Sequence, residues 1–226
     1  IIQINMKKLQ LSIAALALMF AVSCGNNAES TKVEAGEAQK TEDVSATAAT
    51  YTVDNAATKI QWKGSKAIGG GHEGTIALKE GSIVNVEGGK VVGGKFIFDF
   101  NTLTPTDIQG EKADQLKGHL LADDFLGATA HPEGHFVITG VTEGAPADSK
   151  LAGATHTVTG NLTLKGQEHS ITFPAIITVT ETSVNAKSEL YFDRTQWGIN
   201  YESDASVKDK FINKEIELKL DITANK

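Results

Sequence analysis

A single cysteine, Cys24, stands in the 226-residue chain, so no disulfide can form within it. Long apolar runs are also missing. The longest, Leu9 to Val22, has fourteen residues interrupted by Gln10 and Ser12, whereas a spanning helix needs roughly 20. Residues 25–50 hold no aromatic, leucine or isoleucine residue. No repeat of solenoid period is evident. HExxH, a nucleophile elbow, a phosphate-cradling glycine loop and a dinucleotide fingerprint are all absent. A basic excess is lacking too. With Lys7 and Lys8 removed, and the five acids and two bases of residues 25–50 set aside, residues 51–226 carry a formal charge of −6. That balance argues against nucleic acid and against electrostatic docking on anionic lipid.

The N-terminal part reads as address rather than fold. Ile1–Asn5 precede Met6, the expected initiator, and Met6-Lys7-Lys8 opens a basic, then apolar, then small-residue pattern typical of export signals. FAVSCG (residues 20–25) resembles a bacterial lipoprotein signal, departing from it at Ala21, where leucine is commoner. Cys24 is accordingly expected to be the lipidated mature N-terminus, its several acyl chains supplying a stable anchor. Residues 25–50 cannot bury enough apolar surface to offset their ordering, and are expected to form a disordered tether. Its root-mean-square reach is roughly 28 Å, from about 5–6 Å × √n. The expected division is residues 1–23 (upstream residues and signal), 24–50 (lipidated cysteine and tether) and 51–226 (one domain). Gly25 lacks the acidic character that retains lipoproteins at the inner membrane, so the periplasmic side of the outer membrane is the expected location.

Alternation dominates residues 51–226. Ile216, Leu218, Leu220 and Ile222 interleave with Glu217, Lys219 and Asp221. Val158, Leu162 and Leu164 share one face, as do Phe96, Phe98 and Phe100, and Ile171, Phe173, Ile177 and Val179. Weaker runs fall near 58–63, 74–79, 134–143 and 184–193. EGGK (87–90) and KGQE (165–168) suit hairpin turns, the latter centred near Gly166–Gln167. Pro174 implies a bulge or an unpaired edge. GGGHEG (69–74) follows no strand–helix unit and reads as a mobile loop. One short amphipathic helix, about 110–122, carries Leu116, Leu120 and Leu121 on a stripe, with His119 expected beside Leu116 and Leu120 on the buried side and hydrogen-bonded locally. It is too small to cover some eight strands, so the sheet must close on itself or form a sandwich. Strands of nine to twelve residues suit a tilted barrel, whose interior either fills with side chains or holds one small ligand.

HLLADDFLGATAHPEGHF (119–136) gathers His119, His131 and His135 around Asp123 and Asp124. These are zinc-type ligands, but no metal motif or cysteine supports them. His156 and His169 flank a hairpin and are expected to lie roughly 26 Å apart at about 3.3 Å per residue, too far to share an ion. Adjacent Asp123 and Asp124 would diverge on a helix, which fits a helix end better than an acid–base pair.

The same stretch resembles the signature of the YceI-like family of exported bacterial lipid-binding proteins, through His119, Leu120, Asp124, Phe125, Pro132 and Phe136. Leu121, Ala122, Leu126 and His131 depart from its commoner residues. GNLTLKG (160–166) and RTQWG (194–198) resemble two further family elements, in the family's order. The resemblance implies an all-β, lipocalin-like eight-stranded antiparallel β-barrel with one or two short helices, holding a long isoprenoid or similar amphiphilic lipid. Candidate ligand-binding positions in its interior or opening are Trp62, Phe98, His119, Leu120, Phe125, Leu162, Phe173, His169, Leu190, Trp197, Leu218 and Leu220. No catalytic residue, metal or cofactor is expected beyond a bound isoprenoid, quinone or fatty amide. A pyrophosphate head would need local bases such as Lys117, Lys165 or Arg194, so an acidic domain favours a neutral or weakly polar head. Three readings remain: a tethered lipid carrier without chemistry, a metal-dependent or acid–base enzyme, and a structural or stress-protective lipoprotein with a solid barrel.

Overall fold

The computed structural model describes residues 30–204, 206 and 211–226. They form β1 (Thr31–Val33), β2 (Ala49–Val53), β3 (Lys59–Lys66), β4 (Gly71–Leu78), β5 (Ile83–Glu87), β6 (Lys90–Pro105), α1 (Glu111–Leu121), β7 (Glu133–Glu143), β8 (His156–Leu164), β9 (Gln167–Val179), β10 (Ser183–Asp193), a 3₁₀ turn (Arg194–Trp197) and β11 (Ile212–Asn225). Eight strands close the barrel in the order β3-β4-β6-β7-β8-β9-β10-β11, and β11 pairs back onto β3. The alternating runs therefore face inward, as periodicity requires of a sheet with no covering layer.

Two devices shape the ends. At one end β2 and β5 fill the wall between the last residues of β11 and the first of β6. Tyr51, Val53, Val84, Val86, Val184 and Ala224 pack there, all buried, and the Tyr51 hydroxyl donates to the carbonyls of Thr180 and Glu181, each at 3.1 Å. That end is shut. At the other end α1 and the segment after β10 frame an opening.

Several local expectations need correction. GGGHEG is largely strand, because β4 begins at Gly71 and only Ala67 to Gly70 turn. Gly69 and Gly70 take φ of 61° and 91°, which the tight reversal uses. The β8–β9 turn is Lys165–Gly166, both at positive φ as a two-residue primed turn demands, and not Gly166–Gln167. His169 therefore pairs with Leu162, whereas a turn at Gly166–Gln167 would set it opposite Leu164. It still lies roughly 20 Å along the sheet from His156.

The larger correction concerns the tether. From Ser30 onward it is part of the structure. β1 pairs in parallel with β10, Thr31 opposite Leu190 and Val33 opposite Phe192, and Gly36 bridges Ser170 of β9. The chain then wraps the barrel. Gln39 exchanges hydrogen bonds with the buried Asn161 amide at 2.9 and 2.7 Å, and Ser45 and Thr47 both donate to Glu87. Composition marked this segment as unable to form its own core. It does not have to, because the barrel wall supplies the partners. Cys24 lies outside the described residues.

Candidate functional site: an apolar cavity in the barrel

A cavity of about 450 Å³ occupies the open half of the barrel. Ile60 and Trp62 of β3, Phe98 and Phe100 of β6, Leu162 of β8, Phe192 of β10 and Leu218 of β11 form its walls. α1 contributes Leu116, His119 and Leu120, and the turn beyond it Phe125 and Leu126. A second, smaller space of about 90 Å³ lies toward the closed end, lined by Phe173, Leu190, Leu220 and other aliphatic groups. Ile60, Phe98, Leu162 and Leu218 border both, and so form the waist between them. The larger volume falls within the roughly 300–1,000 Å³ range of small-molecule sites. At about 30 Å³ per water-sized group it takes on the order of fifteen chain atoms.

Ten of the twelve interior or opening positions named from sequence border one of these spaces. The other two, His169 and Trp197, do not. Trp197 is fully buried and donates its indole N–H to the Leu162 carbonyl at 2.9 Å, and His169 stacks edge-on against it at 5.3 Å. Both belong to the wall, where the 3₁₀ turn presses on β8 and β9. Ile199, Tyr201, Ile212 and Arg194 line the cavity without having been named as its lining. Arg194 belongs to the RTQWG turn itself and Ile212 opens β11, while Ile199 and Tyr201 follow the turn in a stretch without periodicity.

His119 corrects a further expectation. The α1 stripe contains no buried residue, and the His119 side chain is 40% exposed. It stands at the rim between Phe125 and Tyr201, edge-on to both at 5.0 and 4.7 Å, with Nε2 3.8 Å from an Asp124 oxygen. No buried partner depends on it. His119→Ala is expected to cost only about 0.5–1 kcal/mol in a urea melt, the scale of an aromatic contact; a loss beyond about 2 kcal/mol would show a buried hydrogen bond instead.

The histidine-rich stretch 119–136 does not converge. His131 lies against Gly166, and His135 sits on β7 with Nε2 3.8 Å from Glu133. Among the described residues, no three His, Cys, Asp or Glu side chains are placed to hold an ion.

Several polar groups around the rim are already engaged. His72 Nδ1 pairs with Asp107 at 2.8 Å, and the Glu73 N–H donates to the same carboxylate, tying β4 to the loop before α1. Burial opposes ionisation of Asp107, but those hydrogen bonds prevail and hold its pKa below the usual carboxylate value. The neighbouring Glu202 charge, then burial, push Tyr201 up, so its hydroxyl keeps its proton. Lys117 donates to the Asn101 carbonyl at 2.6 Å and Lys165 to the Asp123 carbonyl at 2.5 Å. Arg194, 1% exposed, donates to the carbonyls of Ile199, Tyr201, Ile212 and Asn213 at 2.6–3.2 Å. Its guanidinium carbon lies 5.7 Å from the Phe125 ring centroid. Burial lowers its pKa, while Asp193 and Glu215 oppose the shift.

Fold and site together define a small antiparallel β-barrel, shut at one end and holding a blind apolar cavity behind a polar rim. Residues 51–224 match the YceI-like domain, and the chain belongs to the YceI-like family. It is similar to the crystal structure of Burkholderia cenocepacia BcnA, at 20% identity and a TM-score of 0.56, over 76% of this chain and 99% of that one. A polyisoprenoid binding domain from Saccharophagus degradans, implicated in plant cell wall breakdown, is similar at 10% identity and a TM-score of 0.54, over 77% of this chain and 97% of that one. Both likenesses concern the fold. No curated protein matches the sequence.

Proposed function

We propose that this chain is a membrane-tethered carrier that holds one isoprenoid-type or similar long-chain lipid in its barrel, with an uncharged head at the rim. The observation that carries this reading is the 450 Å³ cavity, whose walls are mainly aliphatic and aromatic, with Lys66, His72, Arg194 and Glu202 among the few polar or charged residues of its lining. Family membership supports it, as does the polyisoprenoid binding named for the Saccharophagus domain. The head-group reading rests on Lys117, Lys165 and Arg194. All three bases donate to backbone carbonyls, so a diphosphate would have to break those bonds or be met by Lys66, the other base on the cavity lining. A quinone, alcohol or amide would not. Solvent extraction of protein purified from native membranes, followed by mass spectrometry, is the test. One prenyl or long-acyl lipid per chain is expected; extracts with no lipid, from protein never exposed to detergent, would overturn the reading.

Anchoring through Cys24 belongs to the same proposal. Cys24 is six residues before Ser30, and six extended residues span at most about 20 Å. The barrel would then ride against the membrane rather than at the end of a long tether. Cys24→Ser is expected to leave a folded domain in the soluble fraction, or an uncleaved precursor. Intact-mass measurement of mature membrane-bound wild type must show acyl chains on Cys24; an unmodified thiol there would remove the anchor.

A further inference from the structure

The wall of the barrel has a seam between β9 and β10. β9 and β10 pair only from Val184 to Lys187, against Val179 to Ile176. Past that stretch β9 runs through Ala175 to Pro174, which has no N–H to offer, and β10 continues with Ser188, whose hydroxyl donates to the Pro174 carbonyl at 2.7 Å in place of a ladder bond. Beyond them the two strands separate. The gap that results is filled by the N-terminal segment: β1 lies on β10 from Leu190 to Phe192, and Gly36 exchanges two hydrogen bonds with Ser170 of β9, at 2.8 and 3.1 Å. Thr31 and Val33 are each 3% exposed, on the same side as Leu190 and Phe192, and Lys32 points outward.

The strands flanking the seam are also those lining the deep space. Ile171, Phe173 and Ala175 of β9, and Ser188 and Leu190 of β10, border it. The segment is held by few ladder pairs, three in register and one isolated bridge against eleven between β10 and β11, together with two side-chain bonds at 3.0 Å, Ser30 Oγ to Glu217 and the Lys150 N–H to Thr31 Oγ1. Regions with few pairings open at lower free energy than the ladders around them.

We propose that residues 30–36 are a removable stave, and that the β9–β10 seam behind it is a lateral portal to the deep end of the cavity. The split is built into β9 and β10 through Pro174 and Ser188, so withdrawing the stave leaves the remaining ladders intact. A chain too long for about fifteen atoms' worth of space could then enter sideways and thread past the waist toward the rim. What passes through the portal rests on the carrier reading; the opening of the stave does not.

The test locks the stave in the full-length Cys24→Ser chain. Lys32 and Tyr191 are register partners, a spacing compatible with a disulfide, and Lys32→Cys with Tyr191→Cys would join them. Glu189→Cys with Lys219→Cys, partners in the unbroken β10–β11 ladder, is the control lock. Loading of a long-chain isoprenoid quinone from phosphatidylcholine vesicles is followed by quenching of Trp62, which lines the cavity. The oxidised stave lock is expected to load at least tenfold more slowly than its reduced form, and the control lock equally fast in both states. Equal rates in the two states of the stave lock would place entry at the rim and overturn the portal. Native-state hydrogen exchange reads the stave without any lipid: amides of residues 31–36 should exchange ahead of those in β10 and β11. Protection there as high as in the β10–β11 ladder would overturn the proposal, even if quinone loads. Absence of quenching in every form, with early exchange at 31–36, would count against quinone carriage while supporting the stave.

Discussion

Arg194→Met is expected to destabilise the domain by about 3–5 kcal/mol, the range found when one partner of a buried charged network is removed. The reason lies in what the guanidinium does. It sits at the end of β10, fully enclosed, and donates to four carbonyls drawn from the returning loop and the start of β11. Ile199 and Tyr201 lie outside the ladders, and β11 meets β3 there irregularly, with a register shift between Ile212 and Ile216. Methionine would fill much of the volume yet leave four acceptors beside an apolar cavity, and buried acceptors without donors cost about 1–3 kcal/mol each before relaxation. Arg194→Lys separates charge from geometry. An ammonium keeps the cation but cannot span four acceptors with the planar fork, so a loss of about 2 kcal/mol is expected. Urea denaturation of both variants checks this. A cost under about 1 kcal/mol for Arg194→Met would mean that water reaches these carbonyls and that Arg194 does not hold the rim together.

Arg194 also illustrates how much of the molecule was legible from its sequence. Strands with strict alternation were readable, because a period of two leaves only one face to bury: Phe96-Phe98, Leu162-Leu164 and Ile216 to Ile222 all fall on the inner wall or its waist. Closure into a barrel followed from the want of any second layer. Arg194 itself was read as a potential head-group base, since sequence shows a charge but not the carbonyls that a loop brings to it. The order of residues 30–50 is hidden for a related reason. Thr31 and Val33 are too few to bury one another, and the slot that accepts them is created far along the chain by Pro174 and Ser188. Pro174 announced an unpaired edge, but nothing local said which segment would cover it. The leucines beside His119 imply a buried helix face; α1 instead lies over an open cavity, so the stripe faces empty space rather than a core.

That empty space sets the last expectation, which is for Leu218→Trp. Leu218 borders both spaces at the waist and stands between Leu190 and Trp62 on the neighbouring strands. In a filled barrel the larger side chain would overpack the core and cost roughly 1–3 kcal/mol or more. Here the indole can turn into the 450 Å³ cavity, so lipid-free protein is expected to melt within about 1 kcal/mol of wild type. Leu220 is a poorer choice, because it faces only the 90 Å³ space, where an indole would meet packed walls and mix strain with blockage. Binding should respond in the opposite sense to stability. A ring at the waist closes the path between the two spaces, and a long chain that occupies both would lose its inner part. Burial of each methylene contributes about 0.8 kcal/mol, so excluding even four would weaken binding by roughly 100-fold or more. Denaturant melts of lipid-stripped proteins, set beside lipid content after purification from native membranes, separate the alternatives. Unchanged stability with lipid lost identifies the cavity as the lipid site. A marked stability loss with lipid content unchanged, or no lipid in either protein, would instead identify a barrel whose interior serves the fold alone.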